Sequence, residues 1–582
     1  MKLLQTLELD GATEVDRLHY SFWPLAGSGA VRPVMPTRRG GLMVPTGTRL
    51  DMDSYFNSFY ENYWFAYTSL SKVKLELVVE GEAVISVYRF TKDADVYLID
   101  RGSVSPSDGQ KHLSFEFAND DPLRAESGRV WFEIDATGDT ELVSGGWYTP
   151  ETPDREVNLG VVICTYDRED YLRRTLTELA DNPDVVDDIH TLFVVNNGPE
   201  FDLGSLFGDD PADLRARTSV VEQDNIGGCG GFTRGIHECL EDGEITHFVL
   251  MDDDIFPHAR SVSKLRSMMA FANEKVVLGG HMLNLRRPAH LSEAGATIDR
   301  RNLIPSAIGQ DAYLGNREGL ALFLDIDEAA YCGWWLFCAP VSSVTEQGLP
   351  MPCFIRGDDI EFGLRLSLNG FQAVPVPGVA VWHEPFYLKL GDWQFYFELR
   401  NRMTTAALLG IGDWDAILGD FEFVFFRDLK LARYYSCALM AAAVLDFTQG
   451  PDACFDTSSE ALQRCFALRN QYAPEELDGT INSALEQGSI DTPIVWDHEI
   501  EHAVGEHDRQ YLVRSSKGLP TLRYERNDVT AASLVSRFEV SMAVLRDPGQ
   551  RAILIEKLQA RAITEAGWGE FWSQTFAGQD AS

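Results

Sequence analysis

The run Thr246-His-Phe-Val-Leu-Met251 is a short apolar strand that stops in three consecutive acids, Asp252, Asp253 and Asp254. Two further apolar runs share its character, Leu159-Gly-Val-Val-Ile-Cys-Thr165 and Thr191-Leu-Phe-Val-Val195. The first leads into a helical spacing of Leu172, Leu176 and Leu179. Strands alternating with helices fold into a mostly parallel sheet covered on both faces, and such sheets take ligands beyond their strand ends. Three carboxylates crowded at that rim repel one another unless a cation joins them. Hard oxygen donors suit Mg2+ or Mn2+ bridging a phosphorylated ligand. Taken alone, the triplet also reads as a solvated acidic turn.

A chain of 582 residues is too long for one core, and its texture changes twice. Lys72-Val-Lys-Leu-Glu-Leu-Val-Val-Glu80, Ala83-Val-Ile-Ser-Val-Tyr-Arg-Phe90 and Arg129-Val-Trp-Phe-Glu-Ile134 alternate or run apolar between Gly, Asp and Pro breaks. They predict an antiparallel sandwich or barrel over residues 1–150. Ser144 to Asp154, with two Gly and two Pro, reads as a linker. The α/β region is expected over 151–400 and a helical region over 401–582. In the latter, Phe421 to Leu445 forms one long buried helix or two in sequence, with weaker helices at 458–470 and 530–565.

Polar residues gather where the α/β strands end. Arg168 follows the first strand and offers a planar fork to a diphosphate, and Asn196-Asn197-Gly198 follows the second. The stretch Asp224-Asn225-Ile-Gly-Gly-Cys-Gly-Gly-Phe232 reads as a loop that lets backbone approach a ligand, or as a plain tight turn. It is neither a dinucleotide fingerprint nor a P-loop. Trp334 and Trp335 suit sugar-ring stacking, although a packed pair in a core is the commoner case. Asp358 and Asp359 open an apolar helix, where they serve as caps, as a catalytic base, or both. His383, after a short strand, is a candidate metal ligand or a structural histidine.

In order and spacing these elements resemble the family-2 glycosyltransferases with a GT-A fold. More closely, they are similar to the polymerising galactofuranosyltransferases of the mycobacterial cell-wall galactan. The likeness covers most of the chain and is strongest over 159–403, including Tyr396-Phe-Glu-Leu-Arg-Asn-Arg402. It implies a multidomain α/β architecture: an N-terminal β-sandwich, a central GT-A domain and a C-terminal helical region. It implies that Arg168, Asn197 and Asn225, with Asp252 and Asp253, hold a UDP-sugar donor, and that Asp252, Asp254 and His383 bind Mn2+ or Mg2+. It further implies that Trp334, Trp335 and Glu293 shape a glycan or glycolipid acceptor site, and that Asp359, supported by Asp358, is the general base. The implied reaction is inverting transfer of galactofuranose from UDP-galactofuranose. A homo-oligomer is also implied.

The net charge of −39 argues against a nucleic-acid partner. Nine scattered cysteines without a CxxC pair fit a reduced cytoplasmic setting. The start lacks a signal-peptide pattern, and Tyr435 to Leu445 is about half a membrane span. A soluble, cytoplasmic protein is expected. A lipid-linked acceptor would bring it to the inner face of the plasma membrane, where the helix around Lys430, Arg433, Tyr434 and Tyr435 is one candidate contact. A buried interdomain helix is the preferred reading of that segment. Three rivals stand beside the galactofuranose reading: a rhamnosyl- or glucosyltransferase of the same fold, a nucleotidyltransferase, and a non-catalytic carbohydrate-binding protein.

Overall fold

The computed structural model describes residues 1–9, 16–29, 32–91, 95–118, 127–207, 212–325, 329–384, 393–477, 493–496, 509–514, 520–562 and 568–580. Among these, the N-terminal region forms two antiparallel sheets. One has six strands, with Thr140–Thr149 between Leu42–Val44 and Lys72–Glu80. The other has five, with Ser127–Ala136 between Thr48–Asp51 and Ala83–Thr91. The alternating residues of Lys72–Glu80 divide as their period requires, Val73, Leu75, Leu77 and Val79 pointing inward. Residues 144–149 are not a linker. They continue a strand, because Gly145 and Gly146 let it lie against neighbours: an added Cβ would stand 2.7 Å from Leu7 and Leu77 at Gly145.

The central sheet has nine strands among the described residues. Thr218–Glu222, Ile189–Asn196, Leu159–Thr165 and His247–Asp252 run parallel, and Leu336–Pro340 pairs antiparallel with the last of them. Val276–Asn284 and Gln372–His383 then pair in parallel, and Arg287–Glu293 folds back on the former. Val161 and Ile163 join one core and Val162 the other, so the first strand is buried on both faces. That accounts for its unbroken apolar run. In register, Cys164 lies opposite Asp252 and Asn284 opposite His383, so pairing brings the candidate residues to the sheet rim.

The C-terminal region is mainly helical, and it also holds a four-stranded sheet of Glu475–Leu477, Ile494–Trp496, Gln510–Arg514 and Thr521–Glu525. The long helical stretch divides into Trp414–Lys430 and Tyr434–Gln449. The break falls at Ala432, which has φ of 49°. Buried Asp428 holds the corner by accepting from Ser436 Oγ at 2.6 Å and pairing with Arg433 at 3.6 Å. Tyr434 and Tyr435 are buried, in keeping with an internal helix. The weaker helices are Glu460–Tyr472, Asp528–Arg546 and Pro548–Ala562; residues 563–565 lie outside the described residues. No helix among the described residues is long and apolar enough to cross a membrane.

Candidate active site

The acids at the end of His247–Asp252 are held by the first strand and the helix after it. Thr165 Oγ1 donates to Asp253 Oδ2 at 2.8 Å. Arg168, just before the Glu169–Ala180 helix, reaches Asp253 at 3.5 Å and forms an ion pair with Asp254. His383 Nε2 lies 3.3 Å from Asp254 Oδ1. One donor atom each from Asp252, Asp254 and His383 falls within 4.8 Å of the other two. A single cation can bridge atoms so spaced, since carboxylate and imidazole ligands stand about 2.0–2.6 Å from such ions. Behind them Arg174 donates to Ile255 O at 2.7 Å and stacks over Phe256 at 3.3 Å, bracing the turn after the triplet.

Of the expected donor residues, Asn197 is buried and committed to the protein. Its Nδ2 donates to Gly227 O at 3.0 Å, and its Oδ1 accepts from Gln223 Nε2 at 2.6 Å. Asn225 Oδ1 accepts from Gly227 N at 3.0 Å and shapes the same corner. The glycines are not an open loop. They form the first turns of the Gly227–Asp242 helix and let it settle onto the first strand. An added Cβ would meet Cys164 Sγ at 2.2 Å from Gly231, and Phe354 O at 2.0 Å from Gly227, whose φ is also +80°.

The Asp358–Asp359 pair approaches this rim from the start of another helix. Residues 353–357 lie against the start of the glycine helix, with Cys229 N donating to Phe354 O at 3.1 Å. Phe354, Arg356 and Gly357 all have positive φ, and the first two are strained there for want of glycine's freedom. The helix Asp358–Leu368 starts directly after them. Burial raises both Asp358 and Asp359; repulsion from Asp358 adds to burial in taking Asp359 to about 7. The Cys164 thiol records the convergence: burial pushes it up first, then the charges of Asp253, Asp252 and Asp358. Glu293, on Arg287–Glu293, is pushed up to about 8 by burial and then by the charge of Asp359. Among the described residues, its buried Oε1 has no hydrogen-bond partner.

The tryptophans do not line an open acceptor surface. Trp335 is buried and its Nε1 donates to Gly280 O at 2.8 Å, while Trp334 packs edge-on against Phe232 and Phe362. The commoner reading of such a pair holds, because each ring finds apolar neighbours in one of the two cores. Sequence reasoning passed over Thr165, Arg174, Tyr331 and Glu398. Thr165 and Glu398 lie in segments noted above but were given no role there, and only strand register or helical phase could have pointed to the four.

Fold and site together define a family-2 glycosyltransferase. Residues 156–406 match the family model described as glycosyltransferase like family 2, and residues 26–150 match galactofuranosyltransferase 2 N-terminal. The chain is 31% identical over 453 residues to galactofuranosyltransferase GlfT2 of Mycolicibacterium smegmatis, covering 75% of this chain and 69% of that one. It is 30% identical over 479 residues to GlfT2 of Mycobacterium tuberculosis, covering 76% and 72%. The chain belongs to the GlfT2 family of galactofuranosyltransferases. A mannosyltransferase from Pyrobaculum calidifontis, solved with GDP-Man and Mn2+, is a far more distant likeness. It is 15% identical with a TM-score of 0.29, over 56% of this chain and 84% of that one.

Proposed function

We propose that the chain moves galactofuranose from UDP-galactofuranose to a growing, lipid-linked galactan, inverting the anomeric carbon. The observation that carries this reading is one rim shared by two groups of acids. Asp252 and Asp254 sit with His383 in a metal-binding arrangement, and the Asp358–Asp359 pair approaches them across Cys164. Two carboxylates and an imidazole suit Mn2+ or Mg2+, and such an ion, when bound, neutralises charge on a departing diphosphate. Arg168, already at Asp254, offers a guanidinium to the same phosphates.

Asp359 accepts the proton of an acceptor hydroxyl as that oxygen bonds to the anomeric carbon. The bond from that carbon to UDP breaks, and UDP leaves with the electron pair. A carboxyl near neutrality suits this task, since it is deprotonated in a useful fraction at pH 7 and still basic enough to take the proton. Glu293 remains largely protonated at that pH and can donate a hydrogen bond to the acceptor. With a lipid-linked acceptor the enzyme works from the cytoplasm as a peripheral protein.

Incubation with UDP-galactofuranose, Mn2+ or Mg2+ and a short galactofuranose acceptor, followed by mass spectrometry, tests the reading. Added hexose units support it. Transfer only from another nucleotide sugar, such as a rhamnosyl or glucosyl donor, would replace the donor assignment.

A further inference from the structure

The segment Tyr396–Arg402 is the one sequence motif that the chemistry above leaves unused. It lies within the Gln394–Leu409 helix, which supports the strained turn leading into Asp358 and Asp359. Asn401 Nδ2 donates to Arg356 O at 2.7 Å and to Ile355 O at 3.0 Å, and Arg400 Nη2 donates to Cys353 O at 2.9 Å. The helix is thus fixed with respect to the catalytic pair.

Gln394, Glu398 and Arg402 follow one another at intervals of four and share one face of this helix. Both outer members are engaged. Gln394 Oε1 accepts from Arg356 Nη2 at 2.8 Å, and Arg402 Nη1 donates to Asp420 at 2.8 Å. Glu398 between them is exposed and has no hydrogen bond or ion pair with any described residue. It is nevertheless crowded by protein. Burial raises its carboxyl against the pull of Arg356 and Arg402. The buried Tyr331 phenol is pushed up by burial, then by the charges of Asp359, Glu293 and Glu398 among others, so all three acids lie near this ring. An exposed carboxylate near these acids, with no donor among the described residues, is suited to accept from ligand hydroxyls.

We propose that Glu398 is a specificity residue of the acceptor site. Its carboxylate accepts hydrogen bonds from hydroxyls of the acceptor sugar next to the one being extended, which holds the attacking hydroxyl at Asp359. This rests on the transferase reading above. Vicinal hydroxyls supply two donors to a carboxylate, and protonated Glu293 donates where Glu398 accepts, so the two read opposite hydrogen-bonding faces of the glycan.

Glu398→Ala and Glu398→Gln are compared with the wild-type full chain, using UDP-galactofuranose and galactofuranose mono-, di- and trisaccharide acceptors. Loss of a charge-assisted hydrogen bond should raise the acceptor KM about tenfold with Ala. The rise should be smaller with Gln, which keeps one acceptor oxygen, and smallest on the monosaccharide. UDP affinity by calorimetry and the thermal midpoint should match wild type. An acceptor KM unchanged in both variants overturns the assignment. So does UDP affinity falling in step with the acceptor KM, which would make Glu398 a counter-charge for Arg356. If wild type is inert with UDP-galactofuranose but active with another nucleotide sugar, the donor reading fails, and the same KM ratios with that sugar decide the role of Glu398.

Discussion

Asp359→Asn should remove the reaction and make the protein more stable, and the second effect should depend on pH. Moving a carboxyl from its ordinary 3.8 to about 7 corresponds to about 4 kcal/mol against its charged form. Asp359 is partly exposed, so about half of that, about 2 kcal/mol, is a fair expectation for the folded chain. Below the ordinary value the carboxyl is protonated whether the chain is folded or not, and no penalty exists. As pH rises the unfolded chain loses this proton first, so the penalty grows and is complete only above about 7. Asparagine carries no such charge. The variant should therefore melt about 2 °C higher than wild type at pH 8, with a smaller gain at pH 5, by scanning calorimetry. Transfer should fall by about a hundredfold or more, since an amide cannot take the proton. Near-normal turnover would refute the base assignment. A gain in melting temperature that is absent at pH 8, or larger at pH 5, would refute the electrostatic argument.

Asp254→Ala should weaken Mn2+-dependent UDP binding at least about tenfold in calorimetry, with little change when the metal is chelated; equal loss in both conditions would remove Asp254 from the metal set. Gly231→Ala places a Cβ 2.2 Å from Cys164 Sγ and should cost about 2 kcal/mol in thermal or denaturant unfolding. Cys164→Ala in the same chain should recover most of that loss, and failure to do so would mean that the helix contacts the strand differently. Trp335→Phe leaves Gly280 O without its indole donor and should cost about 1 kcal/mol of stability while leaving the acceptor KM unchanged. A raised acceptor KM with full stability would return this ring to the acceptor site.

The acids were legible because strand periodicity and strand ends are local properties. A run buried on both faces that stops in Asp252 to Asp254 carries its own position in an α/β sheet, and Asp358 before an apolar helical spacing carries its own as well. Residues whose meaning depends on a partner distant in sequence were harder to read. Glycine near a helix start can admit a ligand or a neighbouring strand, and only the 2.2 Å approach of Cys164 to a Cβ at Gly231 selects the second. The helix break near Ala432 has no Gly or Pro to mark it, because the corner is set by the carboxylate of Asp428 instead. Glu398 is the extreme case. In sequence it is an ordinary acid inside a helix, and its environment comes from Arg356 and Tyr331, which reach it from separate segments. The candidate acids are thus announced by the strands and helices that carry them. The residue proposed to select a glycan becomes visible only once helical phase and strand register are known, because its neighbours come from separate segments.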